Sequence, residues 1–254
     1  TVIDITVEEM PTGEIMAGAG VGTDGTSFQF AVKENNWLGR GIRLESTLNV
    51  SEKKISGNIL VDNPNYGFSG NSVNASLDVS STDRSTTSGF SSSKTGFSLG
   101  TGFEQYENIF IKPRIDLAFE DIEVDDTAST QIKKMDGNFF NTDITYAIIA
   151  DKRNQAFKPT DGYRATFFQT LPIIQDSSHI MNGVDLASYH DFSEDLIGAF
   201  KFYAKSIHGI DDDVRLTNRI YLPKRKLRGF DVYKVGPKDG DDYIGGNFGY
   251  SINF

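Results

Sequence analysis

The 254-residue sequence predicts an all-β protein, an antiparallel transmembrane β-barrel of outer-membrane type. Three observations carry that expectation. Short segments alternate apolar and polar residues with a period of two, the signature of a strand with two unlike faces. No apolar run approaches the roughly 18 residues that a membrane-crossing helix needs. The connections are short at every second junction (33–41, 62–72, 105–108, 190–195), whereas the others are mostly long and polar (80–93, 120–138, 206–246). A soluble sandwich would also alternate, but with short turns at both ends and its apolar face inward. Short turns on one side, long loops on the other and strands of about ten residues with an apolar outer face are the habit of outer-membrane barrels.

Taken in order, Thr1–Met10 sets Val2, Ile5 and Val7 among acids and ends at Pro11-Thr12-Gly13, reading as a strand that closes an upstream domain. Gly13 to Gly22 is a glycine-rich strand, and Gly18, Gly20 and Gly22 weaken its packing and pairing. From there the two-residue period is clean. Phe28, Phe30 and Val32 alternate with Gln29, Ala31 and Lys33; Ile42, Leu44, Leu48 and Val50 with Arg43, Glu45, Thr47 and Asn49; Val73, Ala75, Leu77 and Val79 with Asn74, Ser76 and Asp78. Ile109, Ile111, Ile115, Leu117 and Phe119 alternate with Lys112, Arg114 and Asp116, and Phe248, Tyr250, Ile252 and Phe254 with Asn247, Gly249, Ser251 and Asn253. About twelve barrel strands are expected, near 13–22, 26–33, 41–50, 54–61, 72–80, 94–104, 108–120, 138–150, 162–172, 179–190, 196–205 and 247–254. Trp37, Tyr66, Tyr106, Phe157 and Tyr163 stand near segment ends, where an interfacial aromatic girdle belongs.

Composition narrows the function. The net charge of −10 argues against a nucleic-acid partner, which would require a basic face. The absence of cysteine removes disulfides and Cys-based metal sites without choosing a compartment. The first residues lack a basic and an apolar signal region, so any signal peptide is expected to be removed or to lie outside the sequence.

Two patterns that look catalytic are rejected. Gly96-Phe97-Ser98-Leu99-Gly100 fits a nucleophile elbow, but that motif needs a strand-turn-helix setting and Ser98 sits within an alternating strand. Gly20-Val21-Gly22-Thr23-Asp24-Gly25 fits a dinucleotide fingerprint, yet no helix follows, and Asp24-Gly25 reads as a hairpin corner. His179, His190 and His208 lack the spacing of metal ligands, and no acidic cluster has calcium-loop spacing. No enzymatic activity, cofactor or metal is expected.

Four stretches resist the reading of ordinary turn chemistry when taken together: Asn36-Trp37-Leu38-Gly39, Asn63-Pro64-Asn65-Tyr66, Pro159-Thr160-Asp161-Gly162-Tyr163-Arg164, and the loop that carries Leu227-Arg228-Gly229-Phe230, Gly236-Pro237 and Gly245-Gly246-Asn247. Their order resembles the barrels of the BamA-type outer-membrane assembly factors and their superfamily of polypeptide-transporting barrels, over nearly the whole chain. The Leu227 tetrad is the most specific match.

The resemblance implies that residues 1–10 end a periplasmic POTRA domain and that 11–254 form the N-terminal part of the barrel, about 12 of about 16 strands. It implies that 206–246 is the sixth extracellular loop, folded into the lumen. Arg228 would there hold a carboxylate of the wall in a bidentate pair, Gly229 would let the backbone approach the wall, and Phe230 would wedge against it. The acid that partners Arg228 is expected on a strand beyond Phe254. A rival reading takes Asn247 to Phe254 as a terminal β-signal and the barrel as complete with twelve strands.

The function implied is insertion of β-barrel proteins into the outer membrane of a Gram-negative bacterium through a lateral seam, with Gly18, Gly20 and Gly22 on the seam strand. Its partners would be membrane lipid, unfolded barrel clients, assembly lipoproteins and the upstream POTRA domains. A secretion or translocation pore of the same superfamily is the alternative, and a porin or outer-membrane enzyme a more distant one.

Overall fold

The structure, a computed structural model, describes residues 3, 8, 10–22, 25–85, 89–126, 128, 130–176, 178–210, 213–223, 225–230, 234–240 and 242–254. The expected POTRA end at 1–10 and the corner residue Asp24 therefore fall largely or wholly outside the described residues.

The strands in chain order are β1 (Gly13–Gly22), β2 (Gly25–Trp37), β3 (Ile42–Ser51), β4 (Lys54–Asn63), β5 (Ser72–Arg84), β6 (Phe90–Tyr106), β7 (Ile109–Val124), β8 (Gly137–Asp151), β9 (Gly162–Gln175), β10 (His179–Ser193), β11 (Leu196–Gly209), β12 (Lys238–Asp239), β13 (Asp242–Tyr243) and β14 (Phe248–Asn253). Twelve of them form one sheet in which each strand pairs with its sequence neighbour, β1 through β11 and then β14; β12 and β13 make a separate small hairpin. Pairing is antiparallel throughout. No described helix is long and apolar enough to cross a membrane.

The register sets like residues side by side. Phe30 lies opposite Leu48, Leu77 opposite Phe97, Phe97 opposite Leu117, Ile115 opposite Ile144 and Phe119 opposite Phe140. These side chains are exposed: Phe30 is 51% accessible, Phe97 44%, Phe119 50% and Phe140 44%. A soluble protein rarely shows contiguous apolar surface of this extent, whereas a membrane barrel turns it to lipid. A polar interruption is satisfied internally: Tyr146 Oη donates to Gln169 Oε1 (2.8 Å), and Gln169 Nε2 donates to Asn182 Oδ1 (2.5 Å).

The opposite face is polar and cross-linked. Asn58 Nδ2 donates to Asp78 Oδ1 (2.6 Å), Ser98 Oγ to Asp116 Oδ1 (2.6 Å), and Thr145 and Thr170 share a hydrogen bond of 3.0 Å. Ser98 thus belongs to a cross-strand ladder within β6. Trp37, Tyr66, Tyr106, Phe157 and Tyr163 all stand at the short-turn end and are 40%, 59%, 69%, 80% and 39% exposed, the position of an aromatic belt.

Two expected loops are corrected. Ser80–Arg84 pairs residue for residue with Phe90–Lys94, so the connection expected over 80–93 shrinks to the residues between Arg84 and Phe90. Likewise Glu120 to Ile122 pairs with Gly137 to Phe139, and the loop expected over 120–138 begins after Val124. The reason is that these strands, 13 to 17 residues long, exceed the roughly ten residues that cross the lipid. With water on one side and loop on the other, alternation is no longer imposed, although the backbone ladder continues. The short helix α1 (Thr130–Lys133) follows β7.

Candidate functional site

The candidate site is the long segment between β11 and β14, built from its apolar anchors upward. Ile207 on β11 is fully buried and packs with Val214 and Ile220 of the segment, with Met181 of β10 against them. Ile207 shares its face of β11 with Tyr203 and Lys205, the face opposite the lipid-directed Phe202 and Ala204, so the segment lies in the lumen. A second cluster joins Leu216 of the segment to Phe90, Ile122, Ile132 and Met135 at the long-loop end, with Phe139 and Ile244 against it. The buried apolar core is thus where the loop meets the wall. Ile207→Ala is expected to lower stability by about 2–5 kcal/mol, because the surrounding groups cannot fully collapse on the lost volume; a shift in denaturant midpoint measures it.

The segment is also tied to itself and to the strands on each side. Ile220 and Gly246 exchange backbone hydrogen bonds of 2.8 and 3.1 Å, Ile207 N donates to Asn247 O (2.8 Å), and Tyr221 Oη donates to Tyr243 O (2.8 Å). A Cβ on Gly249 would stand 3.1 Å from Ile220 Cγ2, so the inward face of β14 and the segment are in close contact.

Charged contacts complete the docking. The Arg215 guanidinium lies 3.8 Å from the centre of the Phe139 ring, and Nη2 donates to Asn141 Oδ1 at 3.5 Å. Burial lowers its pKa, and the charges of Glu120 and Asp176 act against that. Lys226 Nζ donates to both carboxylate oxygens of Asp185 on β10, at 2.7 and 2.6 Å. Arg219 Nη2 pairs with Asp213 at 2.9 Å within the segment.

The tetrad itself stands on a turn in which Pro223 O accepts from both Lys226 N (2.8 Å) and Leu227 N (3.1 Å). Leu227 is half-buried, while Arg228, Gly229 and Phe230 are exposed, Phe230 by 57%. The expected approach of Gly229 to the wall and wedging of Phe230 are not seen among the described residues, where a Cβ on Gly229 would meet nothing within 4 Å. Glycine is favoured there by a backbone φ of +84°, a left-handed conformation that costs other residues about 1–2 kcal/mol. Arg228 makes no hydrogen bond or ion pair among the described residues. Further along, Gly236 (φ +128°) precedes Pro237, whose carbonyl accepts from Ile244 N at 3.0 Å, and Gly245 (φ +68°) packs against the Tyr221 ring.

The other quoted motifs lie apart from this site. Gly18, Gly20 and Gly22 are on β1, at one edge of the sheet. Asn36, Trp37, Leu38 and Gly39 close the β2–β3 turn, where Asn36 Oδ1 accepts from Gly41 N (2.6 Å). Asn63 and Pro64 open the β4–β5 turn, with Asn63 Oδ1 accepting from Asn65 N (3.1 Å). Pro159, Asp161 and Gly162 form the β8–β9 turn, in which Asn154 N donates to Asp161 O (3.1 Å) and Arg153 makes a two-pronged contact with Asp151 (2.7 and 2.8 Å). Asp161, His190 and Asp191 at that end could bring three ligand atoms within 4.8 Å of one another; all three are exposed, and His190 faces Asp161 at 3.7 Å.

Sequence reasoning missed Lys226, Asp185, Arg215 and Ile207. The basic run Lys224-Arg225-Lys226 directly before the tetrad, and an acid between Val184 and Leu186, were the signals at hand.

Fold and site together define a membrane β-barrel domain whose long loop is docked in the lumen. The Omp85 superfamily domain matches residues 36–251. The chain belongs to the Omp85 superfamily, and its place is an outer membrane. It is 23% identical over 256 aligned positions to the outer membrane protein assembly factor BamA of Neorickettsia risticii, across 97% of this chain and 34% of that protein. It is 27% identical over 124 positions to the human sorting and assembly machinery component 50 homolog, across 47% of this chain and 26% of that protein. The chain thus spans about a third or less of the length of these relatives. The crystal structure of BamA from Haemophilus ducreyi lacking POTRA domains 1–3 superposes with a TM-score of 0.81 at 20% identity, over 96% of this chain and 53% of that one, which shows the shared barrel fold.

Proposed function

We propose that the chain is the barrel portion of an assembly factor that folds and inserts β-barrel proteins into the outer membrane of a Gram-negative bacterium. The observation that carries the reading is the glycine-rich first strand β1. It stands first in the strand order, pairs with β2 along ten residue pairs, and carries Gly18, Gly20 and Gly22. A seam strand that pairs weakly opens to an incoming strand, which adds by β-augmentation. Its glycines suit a reversible pairing: a Cβ on Gly18 would meet nothing within 4 Å, and few side chains fix the register. The relatives' names, an assembly factor and a sorting and assembly component, support the same reading.

In this reading no covalent bond is made or broken. The clients are unfolded barrel proteins, the lipid-facing surface meets the membrane, and upstream POTRA domains and accessory lipoproteins deliver the client. Arg228, exposed beside the docked stem of the loop, pairs in this reading with a carboxylate of the barrel wall.

Reconstitution of the full-length protein into vesicles, with a β-barrel client and separately with a secreted passenger, tests the proposal. Insertion of the client is expected; transport of the passenger alone would overturn it in favour of a secretion pore. Arg228→Ala is expected to reduce client insertion several-fold while leaving the folded barrel intact, and unchanged insertion would remove the tetrad from the mechanism.

A further inference from the structure

The tetrad is exposed at its arginine and phenylalanine, yet the loop that carries it is held in the lumen, and one residue on its stem touches three successive strands. Lys226 Nζ sits 2.6 and 2.7 Å from the Asp185 carboxylate oxygens on β10. The same ammonium lies 5.0 Å from the centre of the Tyr203 ring on β11. The backbone oxygen of Lys226 accepts from Asn253 Nδ2 on β14 at 3.2 Å. Asp185 and Tyr203 are register partners, and Tyr203 in turn pairs with Ser251, so these contacts fall on adjacent positions of the wall.

We propose that Lys226 is the positioning residue of the lumen loop, and that its ion pair with Asp185 fixes where the tetrad is presented. Three features separate this pair from an ordinary surface contact. The Lys226 side chain is 13% exposed and Asp185 33%, whereas the rim pair Arg43–Asp62 stands at 44% and 20% with a longer separation of 3.6 Å. A shielded pair is weakly screened, and removal of one member leaves the other charge partly desolvated without a counter-ion, which is far costlier than losing an exposed pair. The contact is intimate, with both carboxylate oxygens within hydrogen-bond distance and an aromatic face on the same ammonium. Lys226 is also fixed from the loop side by its hydrogen bond to Pro223 O (2.8 Å), only two positions before Arg228. Little backbone freedom therefore separates the anchored ammonium from the tetrad.

The inference concerns loop placement and is tested without reference to client insertion, so its failure and that of the assembly reading are distinguishable. The chain has no cysteine, so in the full-length protein, with any cysteine outside this chain replaced by serine, a single Leu222→Cys reports on docking. Leu222 lies on the loop against β14, with its Cδ2 3.4 Å from the position a Gly249 Cβ would take. A membrane-impermeant maleimide then labels the introduced thiol at a rate set by how often the loop lifts. Lys226→Met and Asp185→Asn are each expected to raise the labelling rate by roughly tenfold in folded protein. Lys226→Arg should leave it near the parent value, and the charge swap of Lys226→Glu with Asp185→Lys should return it toward that value.

Folded fractions are read from gel mobility without boiling. Should the single variants fail to fold, recovery of folding by the charge swap supports the pair as the anchor. Unchanged labelling in the folded single variants, or a swap that restores neither labelling nor folding, overturns it.

Discussion

Leu117→Arg is expected to cost the folded barrel about 2–4 kcal/mol in a bilayer, the penalty for a cation on the lipid face near the midplane. Leu117 is centrally placed on β7, 38% exposed, and flanked by Phe97 on β6 and Thr142 on β8. In a water-facing protein the same change would be worth at most a few tenths of a kcal/mol. The paired control is Asn49→Arg, on the polar face of β3 opposite Gln29 and Ser56, where the long side chain reaches the aqueous lumen. Chemical unfolding in lipid vesicles should show a large loss for the first and a small one for the second. Equal losses, or a loss confined to Asn49→Arg, would reverse the assignment of the two faces.

Gly162→Ala is expected to disable the β8–β9 turn. Gly162 has φ +87°, and an added Cβ would stand 2.1 Å from Lys152 O and 3.0 Å from Arg153 Cα, both backbone atoms that cannot swing away. Left-handed strain of about 1–2 kcal/mol adds to that collision, so a destabilisation of roughly 3 kcal/mol or more follows. The turn cannot open cheaply. Lys152 N donates to Tyr163 O (2.8 Å), and Asp151 is gripped by Arg153 and approached by Arg164 at 3.7 Å. By contrast, Gly39→Ala in the β2–β3 turn has a similar φ, +68°, but open space around the new methyl, and should cost only the backbone strain. Refolding yield into detergent micelles compares the two; similar yields would mean that the β8–β9 turn relaxes around the methyl.

Leu117 and Gly162 are both legible in the sequence, one by periodicity and the other by turn chemistry. Leu117 was placed by alternation alone: a residue between Asp116 and Ala118 in a period-two run must share a face with Ile115 and Phe119. β2, β3, β5, β7 and β14 were found this way, because lipid on one side and water on the other impose the period directly on the chain, whereas β1 was read from its glycines. The period failed where that contrast ends. Ser80 to Arg84 and Ser91 to Ser93 carry Ser, Thr and charge on both faces and still pair through their backbones.

The site divided in the same manner. The Leu227 tetrad, the glycines of β1 and the turn motifs were legible, since each is a local string whose backbone demands are written in glycine, proline and asparagine. Gly229 at φ +84° and Gly162 at φ +87° are examples of such demands met within a few residues. The docking of the loop was not legible. It depends on Ile207 meeting Val214 and Ile220, on Arg215 lying over Phe139 of a distant strand, and on Lys226 reaching Asp185 across 41 residues of chain.

What the sequence alone determined is therefore the alternation, the strand count and the local turns, together with the family resemblance that those turns carry. The tertiary structure decided that Lys226 and Arg215, and not Arg228, meet the described wall, and that the buried apolar core lies between loop and lumen. The physical reason is that periodicity and backbone conformation are properties of neighbours in the chain. An ion pair or a packed methyl group between loop and wall is a property of distances that only the curvature of the sheet brings into being.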